Sequence, residues 1–209
     1  MEAMRPVLIG VAGGSGSGKT ALAEAAAVLL GATVIELDWY YHDLGALSAE
    51  ERAGVNFDHP GSIDWTLCLG QLDALLAGRP IERPAYDFAA HTRRAETVRV
   101  EPAAILLIEG ILTLHHEDLR ARQGLRVFVE LDESERFARR MRRDVCERGR
   151  SAESVRTQLE ATVRPMHALF VEPSRRHADV IVDGGGDLEA EAERVSRAGR
   201  ELADTMETT

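Results

Sequence analysis

One eight-residue stretch constrains this chain more than any other: Gly13-Gly14-Ser15-Gly16-Ser17-Gly18-Lys19-Thr20. It satisfies the phosphate-loop pattern G-x-x-x-x-G-K-[ST] in full. The apolar run Val7 to Ala12 predicts a buried strand leading in, and the Ala/Leu-rich run Ala21 to Leu30 predicts a helix leading out. Strand, glycine loop and helix together predict an α/β fold of the P-loop NTPase type, a parallel sheet flanked by helices. The residue types suit the chemistry. Glycines let successive backbone N–H groups turn toward one phosphate cluster, and the helix N-terminus adds partial positive charge. Lys19 can reach the β- and γ-phosphates, and the Thr20 hydroxyl can ligate Mg²⁺. Lys19 is the chain's single lysine, a compact ammonium where every other basic residue is arginine.

A triphosphate site leaves open what receives the phosphate. The length, 209 residues, suits one domain over 1–209. A net charge of −10 argues against nucleic-acid or anionic-membrane partners, so anionic ligands must be held by local cationic clusters. Cys68 and Cys146 lie far apart without metal-ligand spacing and read as reduced thiols. Met1 to Pro6 is too short for a secretory leader, and no apolar run approaches the ~20 residues of a membrane span. The expectation is a cytoplasmic protein.

Along the chain, Gly31 reads as a helix stop and Thr33 to Leu37 as a second strand, delivering Asp38 to the end of the sheet where ligands bind. A carboxylate there can orient an acceptor hydroxyl and take its proton; it can equally cap a turn. Trp39-Tyr40-Tyr41 follows, a wall for a substrate or simply core. Ser48-Ala49-Glu50-Glu51 has capping-box spacing. In Asn56-Phe57-Asp58-His59-Pro60-Gly61, a loop, Asp58 can bind a sugar diol or form an Asx turn. Ile63 to Ala77 reads as an amphipathic helix.

Residues 79–102 read as a β-hairpin excursion leaning over the site. Tyr86, Phe88 and His91 there can present an aromatic, hydrogen-bonding surface to a planar base. Ala103 to Ile108 is an apolar strand ending at Glu109, the Walker B pattern for Mg²⁺. His115-His116-Glu117-Asp118 lacks zinc spacing and reads as a helix start. After a strand at Leu125 to Leu131, seven arginines crowd residues 136–150: Arg136, Arg139, Arg140, Arg142, Arg143, Arg148 and Arg150. In an acidic protein such a run suits a helical lid over moving phosphate, placed here at 136–170 with a break near Pro165. A short strand, Asp179 to Val182, and a last helix N-capped by Asp187 complete the reading.

These pieces, in this order, resemble the uridine (uridine–cytidine) kinases within the phosphoribulokinase/uridine kinase group. The resemblance rests on the phosphate loop, Asp38 with Tyr41 and Asp43, Asn-Phe-Asp-His-Pro at 56–60, Tyr-Asp-Phe at 86–88 with His91, and Ile-Glu-Gly-Ile-Leu at 108–112. Arg143-Asp144, Glu-Arg-Gly-Arg at 147–150, Gln158 and Ala-Asp-Val-Ile at 178–181 extend it over nearly the whole chain. It implies phosphoryl transfer from ATP (or GTP) with Mg²⁺ to the 5′-hydroxyl of uridine and cytidine. Asp38 is then the base, working with Lys19, Arg143 and Arg148. Asp58 is the ribose ligand, and Tyr86, Phe88 and His91 form the pyrimidine pocket beside Tyr41. Arg140, Arg150 and Gln158 lie near the acceptor. Residues 13–20 and Asp187 hold the nucleotide, and Thr20 and Glu109 serve Mg²⁺. The group's habits imply a homo-oligomer, a tetramer. One departure stands out: Thr113-Leu114-His115-His116 replaces the aromatic residues common after Glu-Gly-Ile-Leu.

Three competitors remain in view. A relative with another acceptor, phosphoribulokinase-like, pantothenate-directed or nicotinamide riboside kinase-like, shares the donor side, and the base-pocket hairpin, Tyr86 to His91, argues against a sugar phosphate. A GTP switch would find D-x-x-G at Asp183 to Gly186, yet the chain has no Asn-Lys-x-Asp guanine reader. A non-catalytic ATP-binding module would not need Asp38, Glu109 and the arginines.

Overall fold

The computed structural model describes residues 6–147 and 149–207. Its centre is a five-stranded, wholly parallel sheet in the order β2-β5-β1-β6-β7. The strands are β1 Val7–Gly13, β2 Thr33–Glu36, β5 Ile105–Glu109, β6 Leu125–Glu130 and β7 Val180–Asp183. Every residue of β1 and β5 is buried, as expected of strands covered on both faces. Alternate β1 side chains serve different layers. Leu8 packs with Ile35, Leu106 and Ile108 on one face, and Val7, Ile9 and Val11 pack with Leu22, Ala26 and Val195 on the other.

The helices are α1 Lys19–Leu30, α2 Ala49–Ala53, α3 Trp65–Leu76, α4 Glu117–Arg120, α5 Glu133–Cys146, α6 Ala152–Gln158, α7 Arg164–Met166 and α8 Leu188–Glu207. Gly31 closes α1 in a left-handed C-cap, donating to Ala27. Ser48 and Glu51 form the capping box of α2. Helix α8 lies on α1, where Arg200 donates to the Leu29 carbonyl at 2.9 Å. Cys68 is buried and Cys146 exposed, both free.

A second sheet, β3 Ile81–Asp87 paired antiparallel with β4 Thr92–Val100, is the hairpin expected at 79–102. Arginine fastens it to the main body. Arg93 Nε donates to Tyr41 O at 3.0 Å, its Nη2 reaches Asp64 Oδ2 at 3.2 Å, and its N–H donates to Asp43 Oδ1 at 3.0 Å. Arg83 stacks over Trp39, 3.8 Å from the ring centroid.

Three elements differ from the sequence reading. Strand β2 stops at Glu36, and Leu37–Tyr40 turns as one 3₁₀ segment, so Asp38 stands on a tight helical turn rather than at a strand end. The Asx turn of the 56–61 loop is made by Asn56, whose Oδ1 accepts from the Asp58 N–H at 3.1 Å, leaving the Asp58 carboxylate to face inward. No break occurs at Pro165. Residues Leu159–Val163 and His167–Val171 are π-helical on either side of α7, and these wider turns carry the chain past the missing proline N–H.

Candidate active site

The phosphate loop leaves the carboxyl end of β1, which lies between β5 and β6 in mid-sheet. Gly16 adopts φ +85°, and a Cβ there would sit 2.3 Å from the Arg136 carbonyl oxygen, so the loop tolerates only glycine at this point. Gly184 approaches from the other side: a Cβ would lie 2.2 Å from Ser17 O. Gly184 is therefore the member of the 184–186 run that packs closely against the loop. Arg139 Nη1 reinforces it by donating to Gly184 O at 2.8 Å.

Lys19 and Thr20, the first residues of α1, both meet Glu109 at the end of β5. Thr20 Oγ1 donates to Glu109 Oε1 at 3.1 Å, and Lys19 Nζ lies 3.9 Å from Oε2. Glu109 is buried, and burial raises its pKa against the opposing pull of Lys19. Its Oε2 makes no hydrogen bond. A hydroxyl and a carboxylate with one unspent oxygen form a hard oxygen set of the kind Mg²⁺ uses, with substrate phosphates and water completing its shell. Among the described residues no group of three or more His, Cys, Asp or Glu could hold a metal unaided.

Beside the loop opens a cleft of about 770 Å³ including its mouth. Ser15 and Lys19 line its phosphate end together with Asp38. Tyr41 OH donates to Asp38 Oδ1 at 3.2 Å. Buried Asp58 lines the middle; burial raises its pKa, countered by Arg140 and Lys19. The far end is aromatic. Tyr41 meets Phe57 edge-on at 5.1 Å, Tyr86 lies 5.6 Å from Tyr41, and Phe88 lies 5.2 Å from Tyr86. His91 stacks on Phe57 at 4.6 Å and 22°. His91 is the one non-glycine at positive φ among the described residues, φ 55°, at the hairpin tip. Such strain clusters at functional positions. Burial, with Arg150 and Arg52 nearby, lowers its pKa, so the imidazole is neutral at pH 7.

Arginines roof the cleft. Arg140 Nη1 donates to Ser15 Oγ at 2.8 Å, and Arg140 and Arg150 both donate to Gln158 Oε1, at 3.0 and 2.6 Å. Arg143 completes the rim. The seven arginines thus divide by position. Arg140, Arg143 and Arg150 line the cleft, Arg136 and Arg139 donate to the Leu131 and Gly184 carbonyls, and Arg142 is exposed. Arg148 lies outside the described residues.

Asp187 caps α8, its Oδ1 accepting from the Glu189 and Ala190 N–H groups at 2.9 and 3.1 Å. Its neighbours Gly186 and Leu188, with Gly18, Leu22 and Arg139, line a second depression of about 570 Å³ including its mouth, on the opposite side of the phosphate loop. Sequence reasoning passed over Phe57 and Ile111 as lining residues. Phe57 stood inside a motif read for its aspartate; Ile111 carried no signal beyond following Glu109-Gly110. The His115-His116 departure is packed too: Trp65 stacks on His116 at 4.2 Å, and His115 meets Phe170 edge-on at 5.0 Å.

Comparison with known proteins gives matches over most of the chain. Residues 8–190 match the model of the Phosphoribulokinase / Uridine kinase family. A uridine kinase of Chloroflexus aurantiacus is 52% identical over 184 residues, covering 87% of this chain and 88% of that one. A uridine kinase of Lactobacillus johnsonii is 42% identical over 210 residues, covering 99% of this chain and 100% of that one. Among solved structures, a putative fructose transport system kinase from Silicibacter sp. TM1040 superposes with a TM-score of 0.69 at 22% identity, covering 87% of this chain and 91% of that one, which bears on the fold alone.

Proposed function

We propose that this chain, which belongs to the phosphoribulokinase/uridine kinase family, transfers the γ-phosphoryl group of ATP to the 5′-hydroxyl of uridine and cytidine, giving UMP and CMP. One observation carries the reading: Lys19, Asp38, Asp58 and the Tyr86–His91 aromatic end line a single cleft. A sugar phosphate would leave that aromatic end unfilled; a pyrimidine nucleoside spans it from base to 5′-carbon.

Each residue then has a task, within one kinase domain whose hairpin, 79–102, holds the acceptor and whose 136–170 region closes as a lid. The loop amides of residues 13–18 and Lys19 hold the triphosphate, and the nucleotide base enters the depression beside Asp187. Thr20 and Glu109 hold Mg²⁺, which supplies charge neutralisation on the phosphates when bound. Asp38, oriented by Tyr41, fixes the 5′-hydroxyl and takes its proton. Asp58 binds the ribose hydroxyls. Phe57, against which His91 stacks, is the platform for the base, with Tyr86 and Phe88 alongside. Arg140, Arg143 and Arg150, with Gln158, spread positive charge over the transferring group and exclude water. Neutral His91 offers one donor and one acceptor nitrogen, so it serves a 4-oxo or a 4-amino pyrimidine.

The test is a panel of acceptors with ATP–Mg²⁺: uridine, cytidine, nicotinamide riboside, pantothenate and a ribulose phosphate. Turnover of uridine and cytidine above the rest is expected. Preference for any of the other three removes the reading, and turnover of only one pyrimidine removes the role given to His91.

A further inference from the structure

The arginine roof is organised around a residue that the proposed mechanism has not used. Asp144, on α5, is completely buried at 0% exposure, with buried Arg140 and the half-exposed Arg143 and Arg150 around it. Arg143 Nε donates to its Oδ1 at 3.0 Å. Arg140 Nε lies 3.5 Å from its Oδ2, and Arg150 Nη1 lies 3.6 Å from the same oxygen. The backbone joins in: the Arg150 N–H donates to the Asp144 carbonyl at 3.0 Å. Among the described residues, three cations from two segments, one helical and one past the α5 terminus, thus converge on one carboxylate. Two of them also share Gln158 Oε1, and one reaches the phosphate loop at Ser15.

Like charges this close repel, and free arginine side chains are costly to order. A buried carboxylate removes both obstacles before any phosphate arrives. We propose that Asp144 is the positioning residue of the lid: it holds Arg140, Arg143 and Arg150 gathered at the cleft in the free enzyme, so that the transferring phosphoryl group meets cations already in place. The inference rests on the kinase reading. It makes Asp144 act through the arginines and not on substrate, so the loss should fall on the chemical step, where charge moves.

The experiment compares wild type, Asp144→Asn and the double variant Asp144→Asn/Gln158→Glu, with Tm recorded for each. Asp144→Asn should lower kcat on the order of 100-fold and change the KM for uridine far less. Placing a carboxylate at 158, against Arg140 and Arg150, should restore kcat by about tenfold or more without matching recovery of Tm. Near-normal kcat in a folded Asp144→Asn enzyme overturns the proposal, as does absence of rescue. Should Asp144→Asn not fold, nitrogen-15 NMR of wild-type guanidinium groups decides. The Arg143 Nε–H signal, assigned with Arg143→Lys, should be protected from exchange without ligand; rapid exchange overturns the proposal. Wild-type turnover of uridine is measured alongside. Its absence would count against the kinase reading, while the NMR result would still judge the gathered arginines.

Discussion

The donor and acceptor halves of the cleft are built by opposite means. The phosphate loop is eight consecutive residues, and its working parts are backbone amides presented by glycines on the end of a fully buried strand. The acceptor half is assembled from side chains of distant segments: Asp38 and Tyr41, Phe57 and Asp58, Tyr86 to His91, and Arg140 to Gln158. The first is held by the core of the sheet. The second is held by polar fasteners such as Arg93 across the hairpin and Arg140 onto Ser15. A backbone site suits a triphosphate, whose oxygens present the same acceptors whatever base they carry. A side-chain site can change acceptor without disturbing the sheet.

The sharpest way to break this contrast is at Gly16. Gly16→Ala forces a strained φ and a clash with the Arg136 carbonyl. Nucleotide affinity should fall on the order of 100-fold or more, since about 1–3 kcal/mol of strain adds to misdirected amides. Calorimetry with an ATP analogue checks it; unchanged affinity would mean that the loop backbone is not the donor site.

Phe57→Ala probes the other half. Losing a stacking platform costs about 1–3 kcal/mol per base, which predicts a KM for uridine raised roughly 5- to 150-fold. The KM for ATP should stay within about twofold, because Phe57 touches only the aromatic end. Equal changes in both would blur the two halves into one.

This difference also governs what could be read in advance. Strand β1, the loop and α1 were legible because their signal is local: an apolar run, a glycine pattern, an Ala/Leu helix. Asp38 and Asp58 were legible only as residue types at suggestive places, each with a turn-forming alternative, an equally good one at Asp58. Asn56 takes the Asx-turn role and Asp58 lines the cleft, a choice between two side chains that no spacing reveals. Arg140 and Arg142 look alike within one arginine run, yet one is buried against Ser15 and the other exposed. The helix phase and the partner 125 residues away decide which. Asp144 was quoted only as part of a motif, since a carboxylate among arginines on a helix ordinarily reads as a surface pair. The π-helical turns around Pro165 have no pattern of their own.

The smallest effect concerns stability at the seam between the halves. His167 lies against the phosphate loop, its Nε2 2.9 Å from the position of a Cβ on Gly14. Burial, then Arg136, pushes its pKa down to about 4. The unfolded chain, near 6.5, therefore binds more protons than the native one across that window. Stability is fully present above about pH 6.5 and is lost as pH falls toward 4, by at most about 3 kcal/mol. His167→Gln should flatten this acid limb in thermal melts of the free protein, with wild-type and variant curves converging in shape above pH 7. The raised carboxyls of Glu109 and Asp58 act in the opposite sense as pH rises above the ordinary carboxyl range, and both are common to the two proteins, so the difference curve isolates the imidazole.

The two halves have a purpose only if they meet at one carboxylate. Asp38→Asn keeps the shape of the side chain and removes its basicity. The variant should bind ATP and uridine with affinities near wild type, measured by calorimetry, while kcat falls on the order of 100- to 10,000-fold. Binding intact with turnover within a few-fold of wild type would contradict the account, because the donor loop and the aromatic slot would then converge on a residue the reaction does not use.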